Sequence, residues 1–138
     1  MSVLELKDDK SLNTEATVTA QEFVKKFYEV LDKRRHTLSK LYLDTGTLVW
    51  NGNSVTGADA IQAFLETLPT SEHTVICVDA QAVSSAAVDA QTTVLIVVSG
   101  QVRLKNTTRS FQQHFMLTAQ ERKWKVVTDC FRFQELVS

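Results

Sequence analysis

Few side chains in this sequence could do chemistry, and Asp129 is the first to weigh. It stands in "KWKVVTDCFRF", where alternation puts it on the same side as Val127, Phe131 and Phe133. A carboxylate among apolar neighbours has a raised pKa and could shuttle a proton as a general base. The same placement suits a carboxylate that bonds a neighbouring donor. No second acid or base is fixed beside it by spacing, although Tyr28 and Tyr42 are candidates. Ser110 and His114 share a strand and a face, but four residues at ~3.4 Å each hold them too far apart for a nucleophile and its base. His36, His73 and His114 fall on three separate elements with no Cys or carboxylate at ligand spacing, so no metal site is expected. The four glycines form no phosphate-cradling pattern, so no nucleotide cofactor is expected either. The run "DKRRH", 32–36, reads as a solvated helix end favoured by the C-terminal dipole rather than a nucleic-acid patch. Cys77 and Cys130 read as small buried hydrophobes rather than redox groups.

The elements that position these residues follow from periodicity. Residues 1–15 mix charges with little pattern and read as a flexible N-terminus, with one domain from 16 to 138. Thr19 and Glu22 can form a capping box, followed by Ala20, Phe23, Val24, Phe27 and Leu31 at helical spacing. A short second helix over about 36–43 would bury Leu38, Leu41 and Tyr42. In "LVWNGNSVTG", 48–57, Asn51-Gly52 predicts a two-residue type I′ hairpin between strands ending at Trp50 and starting at Asn53. Thr56 and Asp59 offer a second capping box before Ile61, Phe64, Leu65 and Leu68, and Pro69 stops that helix. Four β-rich runs follow at 73–83, 92–104, 109–119 and 123–133, with a small-residue loop at 84–90. Short connections predict antiparallel neighbours. The expected fold class is α+β, a curved antiparallel sheet with N-terminal helices packed on one face.

A length of 138 residues fits that single domain. The formal net charge of −1 gives no global field to attract nucleic acid or an acidic membrane surface. Two cysteines make no disulfide framework, the N-terminus has no secretory apolar stretch, and no apolar run approaches the ~18 residues of a spanning helix. A soluble chain in a reducing compartment is expected.

The second face of the sheet is the feature that matters most. In "FQQHFML", Phe111, Gln113, Phe115 and Leu117 must face the helices, because the only apolar stripes lie there. Gln112, His114 and Met116 then point away. Val75, Cys77, Asp79 and Gln81 continue that side, with Thr93, Leu95 and Val97, and with Thr128, Cys130 and Arg132. A sheet face that mixes so many aliphatic and polar groups is a candidate protein–protein interface.

"LYLDTGTLVWNGNSVTG", "LPTSEHTVICVDAQAV", "GQVRLKNTTRSFQQHFMLTAQ" and "WKVVTDCFRFQ" together resemble the nuclear transport factor 2-like superfamily, over about residues 17–135. Within it, "TLVWNGN", "QTTVL" and "TDCFRFQ" resemble the branch of the metazoan mRNA export receptor's small subunit. The resemblance implies a cone-shaped fold whose sheet packs against a similar domain. In the export branch that partner is the related domain of the large, Tap-like subunit. Nucleoporins are then contacted indirectly, and the chain shuttles between nucleus and cytoplasm. The family's dimer-contact positions match Val97, His114 and Cys130, and the acid that pairs with a partner arginine matches Asp79. The resemblance also implies two alternatives: a homodimeric carrier of GDP-bound Ran, and a cone-pocket isomerase or dehydratase using Asp129. The Ran carrier keeps an acid directly after the hairpin tryptophan and more acids after the "GQL" segment. Here those positions are Asn51 and the neutral-to-basic "RLKNTTR", which argues against Ran.

Overall fold

The computed structural model describes residues 9–83 and 93–134, with side chains from residue 14 onward. Helix α1, Asp9–Lys33, starts well ahead of the expected cap at Thr19. Ala16 and Ala20, both buried, continue the stripe of Phe23, Phe27 and Leu31 toward the N-terminus. Small residues give little hydropathy signal, so the first turns carry no legible periodicity. A 3-10 helix, Arg35–Leu41, buries Leu38 and Leu41 where a short helix over about 36–43 was expected. The flexible stretch expected at 1–15 falls partly in α1, and residues 1–8 and the loop expected at 84–90 lie outside the described residues.

Strands β1, Tyr42–Trp50, and β2, Asn53–Thr56, form the expected hairpin, with Trp50 opposite Asn53. Asn51 and Gly52 take φ of 47° and 89°, the left-handed pair that a type I′ turn requires. Helix α2, Ala58–Glu66, has no side-chain cap; Gly57 occupies the cap position at φ 94°, and its N–H donates to the Gly46 carbonyl at 2.8 Å. Thr56 does not cap the helix, because it stays paired with Thr47 in the hairpin.

Strands β3, Ser71–Val83, β4, Thr93–Leu104, β5, Thr107–Gln120, and β6, Lys123–Phe133, form the expected antiparallel meander. The six-stranded sheet runs β2-β1-β6-β5-β4-β3. One pairing corrects the all-antiparallel expectation: β1 joins β6 in parallel. The long excursion through α2 and four further strands separates β1 from β6, and only such a connection permits a parallel pair.

The core lies between α1 and the inner sheet face. Phe27 and Phe115 meet edge to face at 4.7 Å, and Phe111 and Phe131 stack beneath them. Two bulges shift the alternation. In β6, Met116 opposes Thr128 but Leu117 opposes Val126, so Val127 is the extra residue. Val126, not Val127, therefore fills the core, with no exposed surface. In β3, Val75 opposes Gly100 while Cys77 opposes Ser99, which makes Ile76 the extra residue. A Cβ on Gly100 would lie 2.1 Å from the Thr74 carbonyl oxygen, so this crossing demands glycine.

Candidate functional site: the outer sheet face

Register assembles the outer face in rows. Asp79, Val97, His114 and Cys130 oppose one another across β3 to β6. The row on one side runs Gln81, Leu95, Met116 and Thr128; the other runs Cys77, Ser99, Gln112 and Arg132. With Thr93, opposite Thr118 in a further row, twelve of the thirteen residues expected there share the face. The parallel pairing of β1 adds Thr47 opposite Thr128 and Val49 opposite Cys130, two positions the sequence did not signal. Leu95, Val97, Met116 and Val49 lie near the middle of these rows among polar and charged side chains, so the face is mixed rather than purely polar.

One expected member leaves the face. Val75 points to the helix side, because the bulge at Ile76 reverses the alternation ahead of Cys77, and it lines a groove beside α1. Thr93 keeps the outer register of Leu95 and Val97, paired with Thr118, but both threonines are buried. Cys77 is exposed and Cys130 half-buried, so neither is the fully buried hydrophobe expected; both are free thiols. The carboxylate of Asp79, at the edge strand, is exposed and has no hydrogen bond or ion pair among the described residues.

Asp129, by contrast, is buried, 1 % exposed, on the inner face. Tyr42 donates its hydroxyl to Oδ2 at 2.6 Å, and Gln113 donates from Nε2 to Oδ1 at 2.7 Å. Tyr28 in turn donates to Gln113 Oε1 at 2.6 Å. Burial pushes the Asp129 carboxyl up to about 7, against the two donor bonds that favour its charged form. The same burial, with the nearby Asp129 charge, holds both tyrosines well above the usual phenol range. A Gln among inward-facing phenylalanines was the available signal for this network.

The run 32–36 is not simply solvated. Arg35 is half-buried and donates from Nε to the Leu31 carbonyl at 3.0 Å, from Nη1 to the Leu68 carbonyl at 2.8 Å, and from Nη2 to Ser71 Oγ at 2.8 Å. Asp32 accepts from Ser71 Oγ at 2.7 Å and from the His73 backbone N–H at 2.8 Å, with His73 Nδ1 at 2.7 Å. Burial alone would raise the Asp32 carboxyl, but these bonds bring it below its ordinary value. The cluster ties the end of α1 to the end of α2 and the start of β3.

Two concavities flank this cluster. One is a groove of about 750 Å³ between α1 and β3, lined by Val24, Tyr28, Asp32, His73, Val75 and Val78 among others. The other is a slot of about 10 Å³ beneath Trp50, the size of one water. Asp129 lines neither. Trp50 stacks flat on Phe131 at 3.9 Å. Asn51 clasps the hairpin to β6: its N–H donates to the Phe131 carbonyl at 2.9 Å and its Oδ1 accepts from the Phe133 N–H at 2.9 Å.

Among the described residues no three His, Cys, Asp or Glu side chains gather as metal ligands, and no helix is long and apolar enough to cross a membrane.

The family model for the nuclear transport factor 2 (NTF2) domain matches residues 19–133. The chain is 48% identical over 133 residues to NTF2-related export protein 2 of Homo sapiens, covering 93% of this chain and 94% of that protein. It is 47% identical over 133 residues to NTF2-related export protein 1 of Bos taurus, covering 93% and 95%. Among solved structures, nuclear transport factor 2 of Cryptosporidium parvum superposes with a TM-score of 0.77 at 21% identity, over 89% of this chain and 98% of that one. A domain match of this extent, on a chain whose helices precede a meander sheet, settles the classification: the chain belongs to the nuclear transport factor 2 family.

Proposed function

We propose that this chain is a small, non-catalytic subunit of a nuclear mRNA export receptor, bound through its outer sheet face to the related domain of a large, Tap-like subunit. The observation that carries the reading is Asp79, an exposed carboxylate without a partner among the described residues, at the margin of a sheet face that also carries Leu95, Val97 and Met116. Covering that face strips water from the carboxylate, so the arrangement favours a partner that brings a cation. Arginine fits best, because its planar fork meets both carboxylate oxygens. A symmetric pair that set Asp79 against its own copy would place like charges together.

The relatives named as export proteins, at 47% and 48% identity, support a transport task. In this reading the subunit stabilises the large subunit's domain, contacts nucleoporins only through it, and shuttles between nucleus and cytoplasm. Asp129 acts as structure rather than as a general base, since both its oxygens already accept hydrogen bonds. Ran carriage is disfavoured because Asn51 and the exposed Arg103, Lys105 and Arg109 offer no counter-charge to a lysine. The test is Asp79→Arg, co-purified with the large subunit's related domain. Removing one partner of a covered ion pair typically costs ~3–5 kcal/mol, so the complex should be lost while the subunit stays folded. Wild-type amounts of complex from the variant would refute the reading.

A further inference from the structure

We propose that the partner covering the outer sheet face also reaches around the β3 edge and seats an apolar side chain in the groove between α1 and β3. This rests on the docking reading above and extends the interface to a second surface.

Among the described residues four large apolar side chains are exposed: Val18 at 51%, Val75 at 36%, Ile76 at 68% and Leu95 at 37%. Leu95 belongs to the sheet face. Of the other three, Val75 lines the groove, Ile76 follows it directly in β3, and Val18 lies one helical turn ahead of the lining residue Gln21 on α1. Single exposed apolar residues are ordinary, but Val75 and Ile76 side by side at the mouth of a concavity call for an occupant.

The bulge joins the two surfaces. An unbroken strand would set Val75 and Cys77 on one face. With Ile76 as the extra residue, Val75 enters the groove, Cys77 and Asp79 join the outer face, and Ile76 stands on the edge between them. Gly100 makes this bulge a built feature, since the Thr74 carbonyl sits where a Cβ would be. Bulges re-aim side chains in this way beside functional surfaces.

The occupant follows from the groove's chemistry. Its volume of about 750 Å³ falls in the range of ligand sites, with Val24, Tyr28 and Val78 giving it apolar walls. Lys25, Glu29, Lys33 and Glu72 line it with two charges of each sign, and the fifth, Asp32, is already bonded to Ser71 and His73, so no ionic ligand is selected. Asp32 already takes the outward His73 N–H, so α1 caps the start of the β3 edge and disfavours an added strand there. A side chain, aliphatic or aromatic, is the fitting guest. Continuity points the same way: the outer rows and the groove meet along β3, so a partner that continues past Ile76 enters the groove without a break.

The experiment titrates the full chain with the large subunit's related domain in a calorimeter, using Ile76→Asp, Val18→Asp, Asp79→Arg and, as control, Ala60→Asp on α2. Each variant's fold is checked by circular dichroism, and Ile76→Thr serves if Ile76→Asp is misfolded. Ile76→Asp and Val18→Asp should each weaken binding at least about tenfold, with Ile76→Thr giving a smaller loss in the same direction and Ala60→Asp none. If the groove variants bind like wild type while Asp79→Arg abolishes the complex, the partner is confined to the sheet and this inference fails. If Asp79→Arg also binds like wild type, the docking reading itself fails.

Discussion

Asp129→Asn should change how stability depends on pH. In the native state burial lifts the Asp129 carboxyl from 3.8 to about 7, whereas the unfolded chain ionises it near ~4. The folded-state value is raised, so the native protein holds a proton that the unfolded chain has released between these limits. The contribution is therefore fully present below pH ~4 and is lost as pH rises to about 7. At about 1.4 kcal/mol per unit the whole effect approaches 4 kcal/mol, and between pH 5.0 and 7.5 it amounts to about 2–3 kcal/mol. The substituted asparagine retains an oxygen for the Gln113 amide and carries no titrating group. Asp32 shifts in the opposite direction, downward, so its stabilisation is lost only in the acid range below pH ~4 and does not overlap this window. The assay is urea unfolding of both proteins at pH 5.0 and 7.5. The wild type should lose about 2–3 kcal/mol more than the variant on going to pH 7.5. Equal pH slopes would refute the claim that the buried Asp129 is neutral at pH 5.

Two further outcomes follow from single side chains. Arg35→Ala should destabilise by about 2–3 kcal/mol in urea unfolding, because the Leu68 carbonyl and Ser71 lose their charged donor, and Arg35→Lys should not restore it, since one ammonium cannot span the fork. Asn51→Asp should leave thermal stability within about 0.5 kcal/mol, because it keeps the acceptor for the Phe133 N–H and tolerates φ of 47°, whereas Asn51→Ala should cost about 1 kcal/mol.

Local signals were legible and long-range ones were not. Asn51-Gly52 announced its turn because two positive φ angles select those residues. The alternation of "FQQHFML" gave the two faces of β5 correctly, since no bulge interrupts those residues. The bulges at Ile76 and Val127 were invisible, because each is fixed by pairing with a distant strand; the Gly100 contact with Thr74 is the clearest case. For the same reason Val75 was assigned to the wrong side, and Thr47 and Val49 were missed until β1 was seen to join β6 in parallel. The cluster of Asp32, Arg35, Ser71 and His73 draws on two segments, so the run 32–36 alone read as an ordinary solvated helix end.

The most direct test of the central claim is the mass of the species formed when this chain is co-expressed with the related domain of the large export subunit. One 15.5 kDa copy of this chain bound to one copy of that domain is the expected species. Recovery of this chain alone, or paired with itself while the large domain stays unbound, would contradict it.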